Sequence, residues 1–190
     1  MQDDRQEYLI ALGGNVPFDG KAPAETLQAG LDRLSAAEGV EVMAVSRFYA
    51  TPAFPPGSGP EFVNAAARVR AARGPEAFLA LLHEVERAFG RERRVRWSAR
   101  TLDLDLIAAG EAVFPDAQTW QAWERLTLEA QHAQAPDGLV LPHPRLADRA
   151  FVLVPLADVA GDWTHPVTGQ RVAQMLATLP PEDVANVKPL

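Results

Sequence analysis

The chain has 190 residues, a formal net charge of −7, 47% hydrophobic and 23% charged residues, and no cysteine. These figures fit one globular domain spanning residues 1–190, and they exclude disulfides, thiolate zinc sites and a cysteine nucleophile. They also speak against a general nucleic-acid binder, which carries a broad basic face, and no apolar run approaches the roughly 20 residues of a membrane span. In chain order, the start MQDDRQEYLIALGG has acidic residues and only a short apolar run, so no signal peptide is expected and a cytoplasmic address is. Tyr8–Leu12 closed by Gly13-Gly14-Asn15 predicts a strand running into a turn. Leu27, Leu31 and Leu34 place an amphipathic helix over Ala24–Leu34, and Val40–Tyr49 reads as a second strand. Thr51–Pro60, with four prolines and two glycines, is a loop, and Phe62–Val69 resumes as a strand. Pro75–Phe89 is the clearest helix, with Phe78, Leu81, Leu82, Val85 and Phe89 on one face.

Thr101–Ile107 alternates strictly, with Leu102, Leu104 and Leu106 on one face and Thr101, Asp103 and Asp105 on the other. Gln118–Gln134 is predicted to be a polar helix, Leu139–Leu141 a short strand stopped by Pro142-His143-Pro144, and Arg171–Leu179 a last helix. The order, β-α-β-β-α-β followed by additions, is that of an α+β ferredoxin-like (split βαβ) sandwich. Its sheet contains antiparallel pairs, with helices on one face and C-terminal additions.

Two features carry chemistry. Asp103 and Asp105 project from one strand face about 7 Å apart, a spacing at which carboxylates repel unless solvated or bridged by cations. Such hard oxygen ligands suit magnesium, which takes one or two carboxylates along with substrate phosphates. Alone, the pair also fits an ordinary exposed strand face. Directly before it, Gly90–Arg100 holds five arginines, the side chain that grips phosphate bidentately. Together they make a phosphate clamp, with metals on one side and guanidinium groups on the other. Other phosphate devices, GxxxxGK[ST] and GxGxxG, are missing, as are HExxH and clustered histidines. His143 is pinned between prolines, and Asn64 is either a satisfied core amide or a contact to a planar heterocycle.

Four blocks then resemble the hydroxymethyl-dihydropterin pyrophosphokinases of folate biosynthesis. They are ALGGN at Ala11–Asn15, SRFYATPAF at Ser46–Phe54 with EFVNAA at Glu61–Ala66, EVERAFGRERRVRWSARTLDLDL at Glu84–Leu106, and LPHPRLADRAFVLVPL at Leu141–Leu156. The resemblance runs from Tyr8 to about Leu179 and implies a ferredoxin-like fold and transfer of pyrophosphate from ATP to the pterin's hydroxymethyl oxygen, with release of AMP. It implies two Mg2+ ions held by Asp103 and Asp105, and Arg91 and Arg100 as catalytic arginines. Phe62 and Phe151 would sandwich the pterin, with Asn64 and the backbone of Thr51 and Phe54 reading its edge and Trp97 closing the loop. His83, Glu86, Arg93, Arg100, His143 and Arg149 would contact ATP. The partners implied are thus ATP and a reduced pterin, without nucleic acid or membrane; protein partners are left open.

The chain departs from the family pattern in three places. Gly14 stands where a serine is usual, Ser98-Ala99 replaces a Gly-Pro pair, and a longer segment, about Gln118–Asp137, precedes the PHP block. Two alternatives remain open on the residues alone. A two-metal nucleotidyltransferase also uses DxD, but needs a Gly-Gly or Gly-Ser helix start shortly before it. A ferredoxin-like RNA-binding module needs a basic sheet face with exposed aromatics.

Overall fold

The computed structural model describes residues 5–53, 59–90, 100–127, 130, 136 and 138–190. Among them, the strands β1 (Gln6–Gly14), β2 (Val40–Val45), β3 (Tyr49–Thr51), β4 (Phe62–Ala71), β5 (Asp103–Ala109) and β6 (Lys188–Pro189) form one sheet. Its order is β5-β1-β4-β3-β6, and β2 also pairs with β4. Every paired neighbour is antiparallel. The fold is therefore the expected split βαβ sandwich, with the α+β element order read from the sequence.

Helices α1 (Pro23–Ser35) and α2 (Pro75–Ala88) lie on one face. Each has a proline in its first turn, where the missing N–H costs nothing, and Ala22 N–H is taken by the Glu25 carboxylate at 2.8 Å. Leu27, Leu31 and Leu34 of α1 and Phe78, Leu82 and Val85 of α2 bury against Tyr8, Ile10, Leu12, Val69, Leu104 and Leu106. The alternation seen in the sequence has this cause. Leu9 and Ala11 of β1 and Ile107 of β5 face the other way, toward α4 (Ala150–Ala160) and α5 (Val172–Thr178), where with Ala66 they meet Val152, Leu153, Leu156 and Met175. The C-terminal additions are thus a third layer that covers the second face of the sheet. A short α6 (Pro181–Ala185) leads to β6.

Some boundaries differ from the sequence-based expectation. Val40–Tyr49 is not one strand. Ser46 Oγ accepts Ala66 N–H (2.9 Å), and Arg47 turns its own N–H to the Asp158 carboxylate (3.2 Å), so the ladder breaks between β2 and β3. Leu139–Leu141 forms only an isolated bridge, Phe114 to Leu141. The helix expected over Gln118–Gln134 is α3 (Ala117–Glu124), started by Asp116, whose carboxylate accepts Thr119 N–H at 2.8 Å. Much of the remaining stretch lies outside the described residues.

Candidate active site

The strand registers assemble the site. Asp103 pairs with Gly13, Gly13 with Asn64, and Asn64 with Tyr49; one level deeper Asp105 pairs with Ala11, and Ala11 with Ala66. Directly paired residues in antiparallel strands share a face. Both aspartates and Asn64 therefore look out from the face that α4 covers, at the end of the sheet beyond that helix's N-terminus. Gly13 keeps the space between them open, since a Cβ there would stand 3.1 Å from Asn64 Oδ1. Asn64 is buried, and its Nδ2 donates to Thr51 Oγ1 at 2.7 Å. Phe62 opens β4 opposite Thr51. Phe151 is 42% exposed at the start of α4, with the Arg149 guanidinium 5.7 Å from its ring centroid. An aromatic so exposed at a helix start is available for a flat ligand.

Opposite the carboxylates lies a basic group. Arg100 NH1 donates to Asp103 Oδ2, tying the end of the arginine segment to the first aspartate. Burial lowers the pKa of Arg149, and Asp105 is the largest of the influences that hold its charge. Burial, and then the neighbouring Arg149 and Arg145, push the His143 imidazole down to about 3, so this ring is neutral at pH 7. Its Nδ1 accepts Arg145 N–H (3.1 Å), which assigns its proton to Nε2. The turn that holds it is fixed to β5, because His143 N–H donates to Ile107 O at 2.8 Å.

On the other flank of β5, which is the edge strand of the sheet, Glu86 is 1% exposed and accepts Leu104 N–H at 2.7 Å. Glu86 therefore holds the strand that carries both aspartates. His83 lies one turn earlier on α2, the helix that packs on the face away from the carboxylates. Arg91, Arg93, Trp97 and Phe54, named from the sequence, lie outside the described residues. The structure thus brings Asp103, Asp105, Arg100, His143, Arg149, Asn64, Thr51, Phe62 and Phe151 to one end of the sheet.

Sequence reasoning passed over two residues. Asn15 is buried; its Oδ1 accepts Arg100 N–H (2.9 Å) and its Nδ2 donates to Pro60 O (3.4 Å), so one amide joins the ends of the arginine segment and the proline loop. Its position as the last residue of ALGGN was the available signal. Arg145 was read only as part of the PHP block, yet it touches His143 through its backbone and pairs with Asp148 at 2.9 Å.

An antiparallel sheet that presents two carboxylates against guanidinium and imidazole donors, beside an exposed aromatic and a buried amide, defines a phosphate-handling α+β enzyme. Residues 9–161 match the family model for 7,8-dihydro-6-hydroxymethylpterin-pyrophosphokinase. Among relatives, the 2-amino-4-hydroxy-6-hydroxymethyldihydropteridine pyrophosphokinase of Synechocystis is 36% identical over 88% of this chain and 73% of its own length. That of Pseudomonas aeruginosa is 32% identical over 96% of this chain and 97% of its own. Among solved structures, the wild-type HPPK-DHPS of Plasmodium falciparum superposes with a TM-score of 0.64 over 91% of this chain at 11% identity, a likeness of fold. The chain spans less than half of that longer protein, 44% of it. The chain belongs to the 7,8-dihydro-6-hydroxymethylpterin-pyrophosphokinase family. That membership removes the nucleotidyltransferase and RNA-binding alternatives. Among the described residues, no helix is long and apolar enough to cross a membrane.

Proposed function

We propose that this single domain binds ATP and 6-hydroxymethyl-dihydropterin side by side on the open end of the sheet and joins the terminal pyrophosphoryl group to the pterin alcohol. The observation that carries the reading is the shared face of Asp103, Asp105 and Asn64 around bare Gly13. The carboxylate pair supplies hard oxygen donors on one face, a fit for magnesium; Asp103 and Asp105 would hold the two Mg2+ ions. Bound there with ATP, the metal neutralises phosphate charge and orients the chain for in-line displacement. In that state Arg100 is free to turn from Asp103 to phosphate.

In the reaction the hydroxymethyl oxygen attacks the β-phosphorus. The bond from that phosphorus to the α-β bridging oxygen breaks, AMP leaves with the bridging oxygen, and the hydroxyl proton passes to solvent. Such a transfer needs positioning and charge neutralisation more than a strong base. The residues supply both. Neutral His143 offers Nε2–H to a phosphate oxygen, and Arg149 and Arg100 meet the charge that builds on the leaving AMP. Phe62 and Phe151 stack the pterin, and Asn64, set by Thr51, reads its edge. By family resemblance, Arg91, Arg93 and Trp97 complete the phosphate side, the Thr51 and Phe54 backbone the pterin side, and His83 and Glu86 border the nucleotide. The chain works in the cytoplasm, where ATP is supplied, without a nucleic-acid or membrane partner.

The test is release of AMP from ATP by the purified protein. Stoichiometric AMP that requires ATP, magnesium and the reduced pterin alcohol together is the expected result. AMP release that ignores the pterin, or ADP as the nucleotide product, overturns the reading.

A further inference from the structure

The extra segment, about Gln118–Asp137 and flanked by Phe114 and Leu141, is the departure that the family pattern leaves without a role. Its two flanks meet: Phe114 N–H donates to Leu141 O (2.8 Å) and Leu141 N–H to Phe114 O (3.1 Å), so the chain leaves and returns at one place. That place is the turn that carries His143. On α3, Trp120 is the buried residue, 4% exposed, while the rest of the helix faces solvent wholly or in part.

Trp120 does not join the two main cores. Its Nε1–H donates to Pro142 O at 2.7 Å, in a buried bond to the carbonyl immediately before His143. The face of the indole is closed by His165, ring centroids 4.8 Å apart at 61°. His165 in turn meets Trp163 edge-on at 5.7 Å, and Trp163 Nε1–H donates to Gly110 O at the end of β5 (3.0 Å). The His165 ring is itself fixed, since Nδ1 accepts Val167 N–H (3.2 Å) and Thr168 N–H (3.3 Å). The anchor is therefore a bracket of three aromatic rings spanning from β5 to the His143 turn.

A passive excursion would seat an anchor such as Trp120 wherever apolar surface was free. This one is hydrogen-bonded to the peptide that aims His143. We infer that α3, at the start of the extra segment, is a brace for nucleotide binding, with Trp120 as a positioning residue that fixes the His143 turn. The inference rests on the reading of His143 as an ATP contact. Among the described residues four bonds hold that turn: His143 N–H to Ile107 O, Arg145 N–H to His143 Nδ1, Trp120 Nε1–H to Pro142 O, and Leu146 N–H to His143 O. The third comes from the extra segment alone. Without it a buried carbonyl loses its partner and the turn shifts to find another.

The experiment compares wild type, Trp120→Phe and His143→Ala, titrated with magnesium and α,β-methylene-ATP and, separately, with the pterin alcohol. Phenylalanine keeps a ring against His165 and removes the donor. Expected is a three- to tenfold weaker nucleotide affinity in Trp120→Phe, with pterin affinity unchanged within about twofold. A second measurement needs no variant. If the Trp120 bond favours the nucleotide-competent turn, nucleotide must favour the bond by the same factor. Hydrogen exchange of the Trp120 indole N–H in wild type should therefore slow several-fold with the analogue and stay unchanged with pterin alone. Weak nucleotide binding in His143→Ala but normal binding in Trp120→Phe, or indole exchange indifferent to nucleotide, overturns the brace. Normal nucleotide binding in His143→Ala overturns the underlying reading of His143 instead, and the brace with it.

Discussion

At the scale of single residues, the two aspartates are not equivalent. On sequence they are twins, both expected to relieve repulsion when removed. In the fold, Asp103 is 14% exposed and paired with Arg100, whereas Asp105 is the strongest support of the buried Arg149 charge. Either change to alanine should abolish turnover by at least a thousandfold, because each removes a carboxylate from the proposed metal face. Their metal-free stabilities should part. Asp103→Ala should lose about 1 kcal/mol with its half-buried ion pair, while Asp105→Ala, which leaves the buried Arg149 charge without its main support, should lose more. Urea denaturation without magnesium separates them, and equal stabilities would mean that Asp105 does not support the Arg149 charge in solution.

His165 gives a second prediction at this scale. Burial pushes its imidazole from 6.5 down to about 4, and the residue is 2% exposed. A depressed base takes up its proton more readily in the unfolded chain, so folding stability is lost as pH falls from 6.5 toward 4 and levels off below. The loss from this group is about 3 kcal/mol at pH 4. His165→Asn keeps an acceptor for the Val167 and Thr168 amides and does not titrate. Urea midpoints at pH 7 and pH 4 should fall further for wild type than for the variant; parallel losses would place the proton uptake elsewhere.

At the scale of elements, the strictly alternating β5 and the amphipathic α1 and α2 were legible because one buried face imposes one period on the sequence. The break between β2 and β3 was not. It comes from Ser46 taking a ladder position with its side chain and from Asp158, on α4, drawing off Arg47, a contact between residues 111 apart in the chain. Asp158 also accepts from Tyr49 Oη (2.8 Å) and from both sides of the Arg47 guanidinium (3.1 and 2.9 Å), which fixes α4 over that junction. The candidate site was legible as DxD, but its depth was not, because Gly13, Asn64 and Thr51 meet only through strand register.

Gly14, the departure from the family's serine, also becomes intelligible here. A Cβ at this position would stand 2.6 Å from Thr101 O and 3.1 Å from Leu27 Cδ1. The backbone before β5 has moved into the space that a serine side chain would fill. Gly14→Ser should therefore destabilise this chain by about 1–3 kcal/mol, although it restores the family residue. A denaturation midpoint level with wild type would show that Thr101 yields at no cost.

At the scale of the molecule, one sheet carries two cores of unequal extent. α1 and α2 cover their face along its length, whereas α4 and α5 cover the other and stop short of the end where Asp103, Asn64 and Phe151 stand. That uncovered end is where two substrates can lie together, one against carboxylates and cations and the other against an aromatic and an amide. The general plan could be read from element order and four motif blocks. The brace from α3 could not, because a polar helix with two tryptophans gives no sign of which carbonyl it seeks. In the proposed reaction a pyrophosphoryl group, transferred whole, ends on the pterin alcohol. Phosphorus NMR of a reaction mixture of protein, MgATP and 6-hydroxymethyl-dihydropterin tests it directly. Two mutually coupled resonances of a pterin diphosphate, growing in step with AMP, are the predicted result; a single pterin monophosphate resonance growing with ADP would contradict it.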